Sequence, residues 1–212
     1  MRVTTRMCSF TNCSLFSCLL IPFLLVSHVS WAQWAEDDRE NGCIRYRGAK
    51  RAQVIPMRVI CIWPVSTRAL KRVIKAPQHF DRCFSRVEKS ELIDTATLAR
   101  GFKLIRVYQV HNASPASDRA LYIDYREEQV GDAWRMRFEK SPPSQVEPIT
   151  DFVEVQQNQG YWQVEAHPQG AKLTFEGMYD PGGSVPSFLV RWFLSGGVQS
   201  MMDELRACAT RS

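Results

Sequence analysis

The chain has 212 residues, of which 45% are hydrophobic and 11% aromatic, and its Lys and Arg residues outnumber its Asp and Glu residues by 27 to 22. This composition is typical of a globular protein with one domain of ordinary size, and it excludes the disordered and fibrous classes. Because the basic residues are scattered along the sequence, the small positive excess gives no support to nucleic-acid binding.

The first 32 residues have the layout of a secretory signal peptide. Arg2 and Arg6 precede an apolar stretch at 15–26, and Ser30 and Ala32 supply small residues before a cleavage point. The stretch is shorter than the roughly 20 residues of a membrane span. We therefore expect cleavage after Ala32, one domain at 33–212, and a periplasmic or secreted protein. An uncleaved leader that acts as a membrane anchor is the alternative.

Four of the seven cysteines lie after the leader: Cys43, Cys61, Cys83 and Cys208. An even number in an exported protein permits up to two disulfides by three possible pairings, and four buried free thiols are the alternative. No Cys or His pair has the spacing of a metal site, and the sequence contains no phosphate loop, dinucleotide motif or Gly-x-Ser-x-Gly motif. The sequence therefore predicts neither a metal nor a cofactor.

The first predicted elements are two strands followed by a helix. Residues 43–47 and 54–63 are predicted strands of a hairpin, and positions 43 and 61 are equidistant from residue 52 in the connecting loop. An even register sets Cys43 opposite Cys61, and we predict a disulfide between them. From Val65 to Ile74 apolar residues recur every three or four positions, which predicts an amphipathic helix that ends before Pro77.

A series of strands is predicted next, at 86–93, 102–110, 120–129, 133–139, 152–157, 161–166 and 172–179. Turns rich in Gly, Pro and Asn separate them. Trp134, Met136 and Phe138 alternate with charged residues, and Trp162 and Val164 follow the same period of two. The pattern predicts an antiparallel sheet with one apolar face and one polar face.

The segment 184–209 is predicted as a long helix that covers the apolar face of this sheet. One stripe of that helix carries residues at helical spacing, namely Leu189, Phe193, Met201, Leu205 and Cys208. Gly196 and Gly197 interrupt the pattern halfway. Because each glycine costs about 1 kcal/mol in a helix interior relative to alanine, we expect a kink or a broken turn there.

The end of the sequence resembles one known family. Asp180-Pro181-Gly182-Gly183, continuing through Ser184–Leu189 to Met202–Arg206, resembles the close of bacterial START (steroidogenic acute regulatory related lipid transfer) domains. Asp118-Arg119 and Gly160-Tyr161-Trp162, each at the start of a strand, agree in order. The sequence departs from the family pattern at Cys83, where a tryptophan is common, and at Ala120, where an acidic residue is common.

This resemblance implies an α+β helix-grip fold, in which a curved antiparallel β-sheet wraps around a long C-terminal helix. It also implies a cavity between sheet and helix that holds one hydrophobic ligand, such as a sterol, a phospholipid or a quinone. The predicted apolar lining residues are Trp134, Met136, Phe138, Trp162, Val164, Phe175, Phe193 and Met201. The implied protein is a monomeric carrier with no enzymatic activity, a lipid-like partner and transient membrane contact.

Arg106 and Asp124 are the candidate polar ligand-binding residues. Both lie in strands whose two faces each carry polar and apolar residues, so the sequence does not decide whether their side chains are buried. If they are buried, they need a partner, which is either each other or the head group of a ligand. The alternative is that both side chains point to solvent. Two alternative functions stay open at this stage. One is an enzyme similar to polyketide cyclases, which requires paired polar groups deep in the cavity; the other is a protein-interaction module with a solid core.

Overall fold

The computed structural model describes residues 34–50, 54–183 and 196–211. The predicted leader lies outside these ranges, and so do residues 184–195, which include the predicted lining residue Phe193. Within them the strands are β1 (Ala35–Glu40), β2 (Cys43–Arg47), β3 (Met57–Trp63), β4 (Val87–Thr97), β5 (Lys103–His111), β6 (Arg119–Val130), β7 (Ala133–Lys140), β8 (Val153–Glu154), β9 (Gln157–His167) and β10 (Gly170–Asp180).

The described strands form one sheet in the order β1-β2-β3-β10-β9-β7-β6-β5-β4, and the short β8 pairs with β6. Neighbours along this path are antiparallel, whereas β8 runs parallel to β6. The last strand, β10, therefore lies between β9 and β3 and joins the N-terminal hairpin to the meander. The strand predicted at 152–157 is reduced to β8, and its final residue belongs to β9.

Strand β1 was not predicted, because its sequence AEDDRE lacks the alternating apolar residues of a half-buried strand. It lies at the edge of the sheet, where both faces of the strand meet water. A two-residue turn, Asn41-Gly42, connects it to β2, and both residues have positive φ, at 50° and 78°. This is the backbone that Asn-Gly favours in tight hairpins.

Two α-helices are described, α1 (Thr67–Ile74) and α2 (Val198–Arg211). Ser66 caps α1 by accepting a hydrogen bond from the Ala69 amide at 3.1 Å. Pro77–Arg82, Ala99–Gly101 and Pro143–Gln145 are short 3-10 turns. No helix in the described ranges has the length and apolar character that crossing a membrane requires.

The buried stripe of the C-terminal helix agrees with the predicted one at Leu205 and differs from it at Met201 and Cys208. Val198, Met202, Leu205 and Ala209 are its buried apolar residues, whereas Met201 and Cys208 are only partly buried beside the core. The prediction was therefore wrong by one position at Met201 and at Cys208, and its members Leu189 and Phe193 lie outside the described residues. The expected irregularity at Gly196 and Gly197 is present as a wide π-type turn that leads into α2.

Covalent and polar contacts fix α2 to the rest of the fold. Cys83 and Cys208 form a disulfide across 125 positions of sequence. Ser85 donates to the Glu204 carboxylate from its hydroxyl at 2.6 Å and from its amide at 3.2 Å. A second disulfide joins Cys43 to Cys61, which stand opposite each other in the β2–β3 register with a Cα–Cα distance of 4.0 Å.

Candidate functional site

The face of the sheet that α1 and α2 cover, called the inner face below, carries most of the core. The predicted ligand-binding residues Trp134, Met136, Phe138, Trp162, Val164 and Phe175 all lie in this one buried cluster. The register explains their meeting, because Met136 pairs with Trp162 and Phe175 also pairs with Trp162 on the other side. Met201 packs at the border of the cluster.

The part of the inner face beneath the helices is tightly packed. Leu70 of α1, Met202 and Leu205 of α2, and Leu173 of β10 are all fully buried. The Phe84 ring stacks at 6.5 Å from the Trp162 ring. These side chains act as a core that supports the fold and leave no surface for a ligand.

Trp134 belongs to this packed part and has a structural role. Its Nε1 donates to the Glu127 carboxylate at 2.7 Å. The Lys71 and Lys75 ammonium groups of α1 lie 5.9 and 5.3 Å from its ring centroid, within the range of cation–π attraction. Because α1 covers the indole in this way, Trp134 fastens a helix to the sheet.

The opposite end of the inner face is less tightly covered. Gly177 and Tyr179 of β10 and His111 of β5 are only partly buried, although their positions in the strands assign them to the inner face. Gly160 and Gly177 pair across β9 and β10. A Cβ at Gly160 would collide with the Glu176 backbone carbonyl oxygen and would lie 2.7 Å from the Phe138 ring, so glycine is needed for this close approach.

A chain of hydrogen bonds crosses this end of the inner face. Ser90 Oγ donates to the Pro77 carbonyl at 2.7 Å, and Gln109 Nε2 donates to Ser90 Oγ at 2.9 Å. Gln109 Oε1 lies 3.2 Å from His111 Nε2, and His111 Nδ1 lies 3.2 Å from Tyr179 Oη. Gln109 and Ser90 are buried, so these bonds satisfy polar atoms that the apolar surroundings would otherwise leave unpaired.

Arg119 adds a positive charge to the same end. It pairs with His111 in the β5–β6 register and shares the inner face with Leu121 and Ile123, two and four residues further along β6. Its side chain is buried and donates to the Ser117 carbonyl, but its Nε atom has no hydrogen-bond partner. Gln109, His111, Arg119 and Tyr179 are called the polar end below.

Burial controls the protonation of the polar end. It lowers the pKa of His111 to about 4, so the imidazole is neutral at pH 7. Burial also raises the pKa of Tyr179, and the nearby charge of Arg119 opposes part of that rise. Sequence reasoning missed this set of residues. The alternation of side chains along a strand could have identified these residues. His111 lies four positions after Val107 in β5, and Tyr179 lies four positions after Phe175 in β10, so each is on the same face as a core residue.

Arg106 and Asp124 do not belong to the polar end and bind each other, which is one of the alternatives that the sequence left open. They pair in the β5–β6 register with side chains on the outer face of the sheet. Arg106 Nε and Nη2 donate to the Asp124 oxygens at 2.6 and 2.9 Å, and Ser141 Oγ donates to Asp124 Oδ1 at 2.6 Å. The loop residue Gln145 accepts from Arg106 through its side-chain oxygen at 2.6 Å. The pair therefore binds a loop to the sheet.

Two hollows on the surface are also lined by described residues. The larger one, of about 550 Å³, lies between β1, β2 and the start of α2, and its charged residues include Asp38, Glu40, Asp203 and Glu204. The smaller one, of about 270 Å³, lies beside Trp34 and Tyr161, and its lining includes Phe138, Gly160 and Gly177. Neither hollow lies between the apolar sheet face and the C-terminal helix in the way that the sequence predicts for a lipid site, although the smaller one touches the less covered end of the inner face.

No family model matches this sequence, and no curated protein is similar to it. Among solved structures, the chain is similar to the STAR-related lipid transfer protein of Xanthomonas axonopodis, with 20% identity and a TM-score of 0.72 over 84% of this chain and 98% of that chain. Human StAR-related lipid transfer protein 5 matches with 14% identity and a TM-score of 0.71, over 84% of this chain and 86% of that one. Human STARD10 matches with 16% identity and a TM-score of 0.69, over 82% of this chain and 72% of that chain.

At these levels of identity the likeness establishes the fold. The chain has the START-domain fold, a mostly antiparallel open sheet with a C-terminal helix, and the helix-grip prediction is confirmed.

Proposed function

We propose that this protein is a carrier that holds one hydrophobic, lipid-like ligand against the polar end of the inner face. One observation carries the proposal. Beyond its tightly packed part, the apolar face of the sheet extends into a region where the residues are partly exposed and a few polar groups converge. An apolar surface with a small number of placed polar atoms is the usual composition of a small-molecule site. The shared fold with structures named as lipid transfer proteins supports it.

This assignment combines the cavity and solid-core alternatives, each of which describes one part of the inner face. The packed part beneath α1 and α2 is a solid core. The ligand occupies the end at Gly177 and Tyr179, from which the chain continues through Gly182 and Gly183 to residues outside the described ranges. Phe138 and Phe175, whose rings stack at 6.0 Å, form the boundary between the two parts.

The protonation states favour a carrier over an enzyme similar to polyketide cyclases. A general acid or base is most effective when its pKa lies near the working pH. The His111 pKa of about 4 makes its imidazole a weak base at neutral pH, and the raised Tyr179 pKa keeps that phenol protonated. These groups are suited to fixed hydrogen bonding and poorly suited to proton transfer.

Export from the cytoplasm is part of the proposal. The leader-like residues 1–32 support it, and so do two disulfides, which persist in oxidising compartments. The mature protein acts as a monomer that touches membranes transiently. The intact mass of the exported protein tests the leader: a chain that begins at Gln33 is expected, and recovery of residues 1–32 in the membrane fraction would instead favour an anchor.

Lipid analysis tests the carrier function directly. The protein is purified from its own host and its extract is examined by mass spectrometry, and transfer of a fluorescent phospholipid or sterol between vesicles is measured in parallel. We expect bound lipid and transfer above the protein-free rate. A folded protein with neither bound lipid nor transfer would support the interaction-module alternative.

A matched pair of variants locates the site. Tyr179→Glu puts a carboxylate at the polar end, where Arg119 can pair with it. Lipid binding should still weaken strongly, because an apolar ligand would have to displace the water around that carboxylate. Tyr108→Glu is the control. Tyr108 lies on the outer face, where its ring is 5.6 Å from the Lys89 ammonium, so a new carboxylate there has a cationic neighbour. Equal lipid binding by both variants, with folding intact by circular dichroism, would place the ligand elsewhere.

A further inference from the structure

The larger of the two surface hollows, called the acidic hollow below, is lined by β1 and β2 on one side and by one face of α2 on the other. Four carboxylates line it, from Asp38, Glu40, Asp203 and Glu204, and Arg45 is the one cationic residue among its described lining residues. Its volume of about 550 Å³ lies within the range of small-molecule sites. None of its described lining residues belongs to the polar end.

The negative charge of the acidic hollow is only partly compensated. Arg45 donates to Asp38 Oδ2 at 2.6 Å, so this pair is neutral as a whole. Within the described part of the chain, Glu40, Asp203 and Glu204 form no ion pair with a Lys, Arg or His side chain. Three uncompensated carboxylates therefore line one hollow of a chain that carries a net positive charge.

The dipole of α2 does not account for this charge. Acidic residues stabilise a helix when they lie in its first turn, and the effect falls off beyond that turn. The helix begins at Val198 and has no acidic residue in its first turn, whereas Asp203 and Glu204 lie in the second. The hydrogen bonds that these two carboxylates accept from Asn41 and Ser85 hold them in place without adding a positive charge.

Gln199 gives an independent indication that the acidic hollow receives a hydrogen-bond donor. Its side chain lines the hollow, and the residue is only 6% exposed. Its Nε2 donates to the Asp203 carboxylate at 3.3 Å, which fixes the orientation of the amide and leaves Oε1 as an acceptor. Oε1 has no hydrogen-bond partner among the described residues. Buried polar atoms of this kind are rare, and they commonly pair with a bound water, ion or ligand.

These groups require a ligand that is cationic and rich in hydrogen-bond donors. A metal ion does not fit, because among the described residues no three His, Cys, Asp or Glu side chains are grouped closely enough to hold one. A quaternary ammonium group does not fit either, because it has no N–H donor and is usually bound by aromatic rings, which the described lining lacks. A protonated primary amine carries three N–H donors on each ammonium group.

We propose that the acidic hollow binds a protonated aliphatic polyamine. Its ammonium groups pair with the three uncompensated carboxylates, and one of them donates a hydrogen bond to Gln199 Oε1. Positive charges that are separated along a flexible chain match carboxylates that are spread over β1 and α2. The site lies apart from the polar end, so this proposal does not depend on the carrier function.

Three divalent probes test the chemistry of the site. Binding of 1,6-diaminohexane, hexamethonium and Mg²⁺ to the full chain is measured by calorimetric titration at low ionic strength, because salt screens exposed charges. The two organic probes share their charge and carbon chain and differ in N–H donors, whereas Mg²⁺ carries the same charge at one point. We expect the diamine to bind at least about tenfold more tightly than either of the others, the effect of hydrogen bonds to charged groups.

Variants locate the diamine in the acidic hollow. Gln199→Met removes the carbonyl oxygen from a side chain of similar length and should weaken diamine binding about five- to tenfold. Glu40→Gln removes one charge from an exposed side chain in an edge strand and should weaken binding about two- to fivefold. Glu91→Gln is the matched control, because Glu91 is exposed on β4 at the opposite edge of the sheet, and it should bind the diamine as the wild type does.

Several results would overturn the proposal. Binding of hexamethonium or Mg²⁺ as tight as that of the diamine would mean that charge alone attracts the probe. Equal weakening by Glu40→Gln and Glu91→Gln would mean that the diamine binds the surface without a defined site. Absence of diamine binding to the wild type would also refute it. If circular dichroism shows that Gln199→Met is unfolded, the comparison of Glu40→Gln with Glu91→Gln still decides.

Discussion

Replacing Met202 with alanine should destabilise the protein far more than the same change at Met201. Met202 is fully buried between α2 and the sheet, whereas Met201 lies at the edge of the core. Removing a buried methionine side chain costs about 2–5 kcal/mol, and at a fully buried position that is tightly packed we expect about 3 kcal/mol. At Met201 part of the side chain already meets water, so the expected cost is below about 1 kcal/mol.

Thermal unfolding measures the difference. For a domain of about 150–250 residues, each kcal/mol shifts the Tm by about 2–4 °C, so Met202→Ala should lower it by about 6–12 °C and Met201→Ala by no more than about 4 °C. Urea unfolding of the same variants gives the free energies independently. A larger loss at Met201 than at Met202 would mean that α2 is rotated about its axis relative to the structure described above.

Three further results are expected. Peptide mapping without reduction should recover Cys83 linked to Cys208, and alkylation of both thiols would contradict that link. Asp124→Asn should lower the free energy of unfolding in urea by about 3 kcal/mol, because it removes one partner of a buried ion pair. Burial raises the pKa of Asp124, but hydrogen bonds from Arg106 and Ser141 outweigh burial and lower the pKa overall. The stabilisation from the Asp124 carboxylate is therefore complete above about pH 4 and is lost as the pH falls through the folded-state pKa. His111 has a pKa of about 4 in the folded protein and about 6.5 when unfolded, so its contribution is complete above pH 6.5 and is lost as the pH falls towards 4. His111→Gln should therefore flatten the fall in urea midpoint between pH 7 and pH 4.5, and an unchanged fall would refute that assignment.

Strand periodicity predicted the inner face well, because a period of two depends only on neighbouring residues. Met136, Trp162 and Phe175 were assigned to one face of a sheet, and the structure brings them into one cluster. The position of Cys43 opposite Cys61 also followed from local geometry, since both lie in one hairpin. The family-like motif at 180–189 predicted the helix-grip fold, which the structural comparisons confirm.

Features that depend on distant strands could not be predicted in this way. His111 and Tyr179 are 68 positions apart, and their contact depends on how β5 and β10 are placed across the sheet. Arg106 was ambiguous because both faces of β5 carry polar and apolar residues. The partner of Cys83 depends on where α2 docks, and no spacing in the sequence contains that information.

The C-terminal position of α2 also sets an order on folding during synthesis. A ribosome produces the chain from its N-terminus, so the strands that carry Met136 and Leu173 are complete before any residue of α2 exists. The sheet cannot join its two parts until β10 enters between β3 and β9. Its apolar face then has no α2 to cover it until residues 198–211 are made. Nascent or truncated chains that end before Val198 consequently expose that part of the core, and they are the forms of this protein most prone to aggregate or to require a chaperone.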